Sequence, residues 1–132
     1  MPKIRDSFPK RERLCNIKAI TSLFESGKSS FTFPLKIYYN PNALNYNRIV
    51  ITVPKRNHKK AVDRNLIKRR IRESWRLFKD TDTEIIGLDI AVVYVATSLI
   101  DYKKIEKSLK DGLAKIKEDC LKTGLSTIRN TD

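Results

Sequence analysis

The sequence predicts an α+β fold: a two-layer α/β sandwich with a small mixed sheet and three helices packed mainly on one side. Three observations predict it. Apolar periods follow one another in the order helix, strand, strand, helix, strand, helix. Residues 60–79 contain neither glycine nor proline and repeat their apolar residues at helical spacing. Residues 90–96, IAVVYVA, form one unbroken apolar run of strand length, the pattern of a strand covered on both faces. A chain of 132 residues, 40% hydrophobic and 33% charged, fits one soluble globular domain over residues 1–132 with a single modest core.

The elements follow in order. Residues 1–13, MPKIRDSFPKRER, hold two prolines and five basic residues and read as a basic, irregular arm. No apolar segment follows it, so no secretory signal is read. From Cys15 to Ser26, the apolar residues Ile17, Ile20, Leu23 and Phe24 have the spacing of a short amphipathic helix, stopped at Gly27. Leu35 to Tyr39 alternates, with Leu35, Ile37 and Tyr39 on a core face and Lys36 and Tyr38 on the other. Pro41–Asn47 is rich in asparagine and reads as a hairpin loop. Arg48–Val53, RIVITV, reads as a more buried strand closed by Pro54. Residues 60–79 make a helix of about five turns. Thr81–Leu88 reads as a polar loop. Asp101 is placed as the N-cap of a last helix with core residues Ile105, Leu109, Leu113, Ile116 and Cys120. Residues 124–132 read as a frayed tail. Cys15 and Cys120 are far apart and outside any metal-like spacing, so both read as reduced thiols of a cytoplasmic protein.

Charge is the feature that points to function. The chain carries 28 Lys+Arg against 15 Asp+Glu, net +13. Between Lys55 and Lys79 lie eleven basic residues and two acids, Asp63 and Glu73, for a net +9. On a helical projection, Ile67, Ile71, Ser74 and Phe78 share one sector, flanked by Trp75. Asn65, Arg69, Arg72 and Arg76 share the roughly opposite one, bordered by Arg64 and Lys68. The helix therefore buries an aliphatic stripe and displays cations. A plain solvated face would mix signs, with acids placed to support Lys or Arg. Arginine outnumbers lysine here, and its planar fork grips phosphate and stacks on bases. A nucleic-acid surface is the reading this charge supports. No apolar run approaches the ~18 residues of a membrane span.

The chain offers no Ser/His/Asp, Cys/His or paired-carboxylate arrangement for catalysis. His58, the single histidine, reads as a surface loop residue, with phosphate contact the second reading. Asp80, Asp82 and Glu84 read as solvated loop acids, not as a metal site. Tyr38 beside Lys36 on an open sheet face is an arrangement that holds single-stranded RNA by stacking and phosphate contact.

The segment AVDRNLIKRRIRESWR, residues 61–76, resembles the signature helix of the bacterial ribonuclease P protein subunit. The pattern is an Arg-Asn pair (Arg64, Asn65), Lys-Arg three residues later (Lys68, Arg69), then Arg-Glu (Arg72, Glu73). Its flanks match too: the strand ending in Lys55 and Arg56, the early Arg13, Leu14, Phe24 and Gly27, and Asp89 opening the late apolar strand. The resemblance covers about residues 8–118. It departs at Ile20, where relatives often carry an aromatic, and at Asn57–Lys60, which lacks the usual glycine and is one residue longer.

What the resemblance implies is specific. The fold would be a ribosomal-protein-like domain with a left-handed βαβ crossover containing the basic helix, against the general right-handed rule. The protein would be an endoribonuclease subunit. Its catalytic RNA, with Mg²⁺ bound mainly by that RNA, would cleave the 5′ leader from precursor tRNA, so no catalytic or metal-ligating residue is assigned to the chain. Lys55, Arg56, Lys59, Lys60, Arg64, Asn65, Lys68, Arg69, Arg72 and Arg76 would face the catalytic RNA. Ile20, Phe24, Lys36 and Tyr38 would hold the leader. Neither a membrane nor an obligate protein partner is implied. A ribosomal or general RNA-binding protein without a part in cleavage shares the basic helix and sheet and is the alternative. A DNA-binding regulator would need a helix-turn-helix pair where a strand stands. A metal nuclease would need converging carboxylates.

Overall fold

The structure, a computed structural model, describes residues 13–42, 44, 46–81, 85–123 and 127–128. In chain order the elements are α1 (Ile17–Ser26), β1 (Lys28–Thr32), β2 (Leu35–Pro41), β3 (Arg48–Thr52), α2 (Ala61–Thr81), β4 (Ile85–Ile86), β5 (Leu88–Tyr94), α3 (Tyr102–Thr123) and β6 (Thr127–Ile128). The main sheet has the order β1-β2-β5-β3. It is mixed: β1/β2 and β2/β5 are antiparallel, whereas β3 runs parallel to β5. Three helices and this four-stranded sheet make the expected α+β fold.

The central strand is the unbroken apolar run. Ile90, Val92 and Tyr94 of β5 enter one core with Leu35, Ile37 and Tyr39 of β2, Ile67, Ile71 and Trp75 of α2, and Ile105, Leu109, Leu113, Ile116 and Cys120 of α3. Ala91, pointing the other way by the strand's period of two, packs with Leu14 and Leu23 under α1. So α2 and α3 cover one face and α1 the other. Each of the large buried α2 side chains contributes roughly 1.5–3 kcal/mol as an upper value, which offsets repulsion among the helix's exposed cations.

The helix ends follow local chemistry. The Asn16 side chain accepts a hydrogen bond from the Ala19 amide and starts α1 two residues later than expected. Asp101 caps α3 as expected, its Oδ1 accepting from the Lys104 amide at 3.1 Å. Gly27 ends α1 for a steric reason. A Cβ there would lie 2.5 Å from the Leu23 carbonyl oxygen, so the turn into β1 closes only over a hydrogen atom.

Several expectations are corrected. Residues 28–32, unassigned from sequence, form edge strand β1, joined to β2 by the Phe33–Pro34 turn with its cis peptide bond. Pro41–Asn47 is not a hairpin loop, because β5 lies between β2 and β3. β3 is an edge strand and the less buried of the two, with only Ile49 fully covered. Ile17 is 79% exposed rather than part of the core. Within the expected polar loop, Thr81 still belongs to α2, Ile85–Ile86 form β4, and Leu88 opens β5. The expected frayed tail contains β6, which pairs antiparallel with β4. The remainder of that tail and of the basic arm, with Asp82 and Glu84, lies outside the described residues, as do the side chains of Phe78 and Asp80.

Candidate nucleic-acid interface

The sequence-predicted residues gather in two groups on different sides of the sheet. The first is the outer face of α2 with the loop before it. Ile67, Ile71, Ser74 and Trp75 turn inward, and Asn65, Arg69 and Arg72 are exposed. Lys68 is half-buried beside them. Lys55, Arg56, Lys59 and Lys60 are exposed in the loop between β3 and α2. Two arginines of α2 also serve the fold. Arg64 Nη1 donates to the His58 and Lys59 carbonyl oxygens at 2.8 and 2.9 Å and fastens the basic loop to the helix. Arg70 donates to the Ile100 carbonyl oxygen at 2.5 Å. Arg76 pairs with Glu73 one turn back, and its guanidinium holds the Glu73 carboxyl below the usual range. The displayed positive charge is therefore centred on the loop and the first three turns.

His58 corrects its sequence reading. It is buried rather than at the surface, and its Nε2 donates to the Ala96 carbonyl oxygen at 2.8 Å. Its ring lies 5.4 Å from that of Tyr94. The imidazole ties the basic loop to the end of β5, and the lysines beside it stay outside.

The second group lies where α1 meets the sheet. Alternation along β2 sends Lys36 and Tyr38 to this side. The Phe24 ring of α1 meets the Tyr38 ring edge-on, with centroids 4.8 Å apart. Lys36 Nζ lies 5.2 Å from the Tyr38 centroid, within cation–π range. Ile20 packs beside them, against the small cluster under α1. All four residues assigned to leader binding thus share one site. Phe24 stays 39% exposed, so its ring is a wall of the site and not only core.

One structural pair bounds this face. Arg48 Nε and Nη2 donate to Asp89 Oδ1 and Oδ2, both at 2.8 Å, and Asn42 Nδ2 donates to Oδ1 at 3.0 Å. Arg48 and Asp89 are direct register partners on β3 and β5. The Asp89 bond raises the Arg48 pKa above its ordinary value. Sequence reasoning noted Asp89 at the strand's start but missed its partner.

Among the described residues, no three His, Cys, Asp or Glu side chains gather where they could hold a metal ion. The buried carboxylate of Asp89 is committed to Arg48 and Asn42. Among the same residues, no helix is long and apolar enough to cross a membrane.

A family model described as ribonuclease P matches residues 8–117. The chain belongs to the ribonuclease P protein family. The ribonuclease P protein component of Porphyromonas gingivalis is 30% identical over 115 residues, covering 81% of this chain and 84% of that one. The Escherichia coli component is 34% identical over 90 residues, covering 68% and 73%. Among solved structures, the RNase P protein from Thermotoga maritima superposes with a TM-score of 0.70 at 27% identity, covering 80% of this chain and 97% of that one. The Staphylococcus aureus protein gives 0.68 at 28%, covering 80% and 95%. Membership of the ribonuclease P protein family implies a role in tRNA processing beside an RNA partner.

Proposed function

We propose that this protein is the RNA-binding subunit of a ribonuclease P ribonucleoprotein, assisting removal of the 5′ leader from precursor tRNA in the cytoplasm. The observation that carries this reading is the separation of two RNA-compatible surfaces by one sheet. The cations of α2 and its loop form a rigid, sequence-blind grip on phosphate, the means by which folded RNA is held. The Phe24–Tyr38–Lys36 cluster has the other chemistry, a π-face and a neighbouring cation for unpaired bases. The first surface takes the catalytic RNA and the second the leader. On this reading Mg²⁺ is held mainly by the RNA. The chain's own part is to bind and orient; the hydrolytic step belongs to the RNA.

Reconstitution tests this. The purified chain is expected to leave precursor tRNA intact alone and to restore 5′ cleavage by its cognate RNA at physiological Mg²⁺. Cleavage by the protein alone would overturn the division of labour. Tyr38→Ala is expected to leave assembly with the catalytic RNA unchanged and to weaken precursor binding by roughly 1–3 kcal/mol. Precursor affinity indifferent to leader length would instead favour a general RNA-binding protein.

A further inference from the structure

The register of the sheet brings one more aromatic into line with the leader cluster. Across the α1 side, Ser29, Tyr38, Ala91 and Val50 form one row from β1 to β3. Parallel to it, Phe31, Lys36, Val93 and Thr52 form the next. Helix α1 packs on the first row, through Ala19, Ile20 and Leu23 against Tyr38, Ala91 and Val50. The second row lies beyond it. Lys36, Val93 and Thr52 are half-buried there, and Phe31 is 55% exposed.

Phe31 faces this side because its neighbours face the other. Thr32 Oγ1 lies 3.5 Å from Lys115 Nζ of α3, and the buried Ser30 hydroxyl points the same way by alternation. Phe31 is thus directly opposite Lys36 and diagonal to Tyr38, with α-carbons about 7–8 Å apart, within reach of aromatic side chains. The Lys36 ammonium lies over Tyr38. Two rings on one side of the sheet with a cation beside Tyr38 offer what unpaired nucleic acid needs, stacking faces and a phosphate partner. The strand that carries Phe31 is also held firmly. The Phe33 carbonyl accepts from Ser108 Oγ at 2.7 Å, the Pro34 carbonyl from the Val95 amide at 2.9 Å, and the Phe31 carbonyl from Lys115 Nζ at 3.4 Å. Phe31 thus presents a large apolar ring from the edge strand with about half of its surface in water.

Resting on the leader reading above, we propose that Phe31 is a second stacking platform for single-stranded RNA, extending the leader track from Tyr38 to the outer edge of the sheet. The row spans three strand spacings, about 14 Å from Thr52 to Phe31. Its β3 end meets the chain leading to Lys55 and Arg56, so the track runs across the sheet from the basic loop to β1. Charge complementarity favours a nucleic-acid strand as its occupant: the chain carries +13, and Lys36 stands inside the row.

The test is precursor binding to the reconstituted holoenzyme, with leaders lengthened one nucleotide at a time. Phe31→Ala is expected to leave short-leader precursors unaffected and to weaken long-leader ones roughly five- to hundred-fold. Phe31→Tyr is expected to retain affinity, and Phe31→Leu to behave like Phe31→Ala, which separates stacking from mere apolar contact. Melting curves of each variant check that the fold is intact. Unchanged long-leader affinity in Phe31→Ala, a loss independent of leader length, or rescue by leucine would each overturn the proposal. Tyr38→Ala, run in the same series, tells which level has failed. A loss there without one at Phe31 removes only the extension, whereas no loss at either removes the leader reading itself.

Discussion

Asp89→Ala is expected to destabilise the folded protein by about 3 kcal/mol, as fits removal of one partner from a buried ion pair. The carboxylate accepts two Arg48 bonds and one from Asn42. Its side chain is only 9% exposed, so alanine takes the partnering carboxylate away from a guanidinium that is itself largely covered. The Arg48 side chain retains 24% exposure, which puts the cost at the lower end of the ~3–5 kcal/mol range for such losses. The pair joins β3 to β5 at their first paired residues, and Asn42 brings in the end of β2. Its loss therefore loosens a parallel connection that no short turn supports. Urea unfolding checks this: the midpoint should fall with the slope unchanged. A double-mutant cycle with Arg48→Ala should recover part of the loss. A midpoint within error of the parent's would show that the pair is dispensable.

The second large effect concerns the grip on RNA. Removing Lys68, Arg69 and Arg72 together, each to alanine, should make the dependence of log affinity on log salt shallower by about 2–3 units. Each neutralised phosphate contributes roughly 0.7–0.9 of a unit through counterion release. The parent and the variant should therefore differ most in dilute salt and converge as salt rises. The substitutions leave Ile67, Ile71 and Trp75 untouched, and alanine favours helix, so the fold should hold. Titration of the catalytic RNA at several salt concentrations measures the slope. An unaltered slope would show that RNA lies against some other surface.

The parts of the fold legible in the sequence were those whose signal is local. The α3 core residues, Ile105 to Cys120, are all buried as their spacing predicts. The double coverage of β5 and the placement of Tyr38 with Lys36 follow from periods of one strand. What escaped depends on neighbours. β1 reads KSSFT, and its inward residues are Ser30 and Thr32, so an edge strand touched on one face leaves no apolar alternation. The asparagine-rich loop reads as a hairpin because pairing with the next strand is the common outcome. Periodicity is blind to β5 inserting itself between β2 and β3. Polarity suggested an exposed His58, but a carbonyl oxygen 38 positions away makes its burial tolerable. The Arg48–Asp89 partnership spans 41 positions and has no local trace.

The two thiols occupy opposite extremes of accessibility. Cys15 is open to solvent just before α1, while Cys120 is sealed between α3 and the sheet, where burial raises its pKa further. A maleimide dye would thus label Cys15 alone in the native molecule, placing a fluorophore near the α1 side of the sheet without engineering. Slow uptake of a second dye would then time how often the last helix lifts away, a built-in clock for breathing of the core.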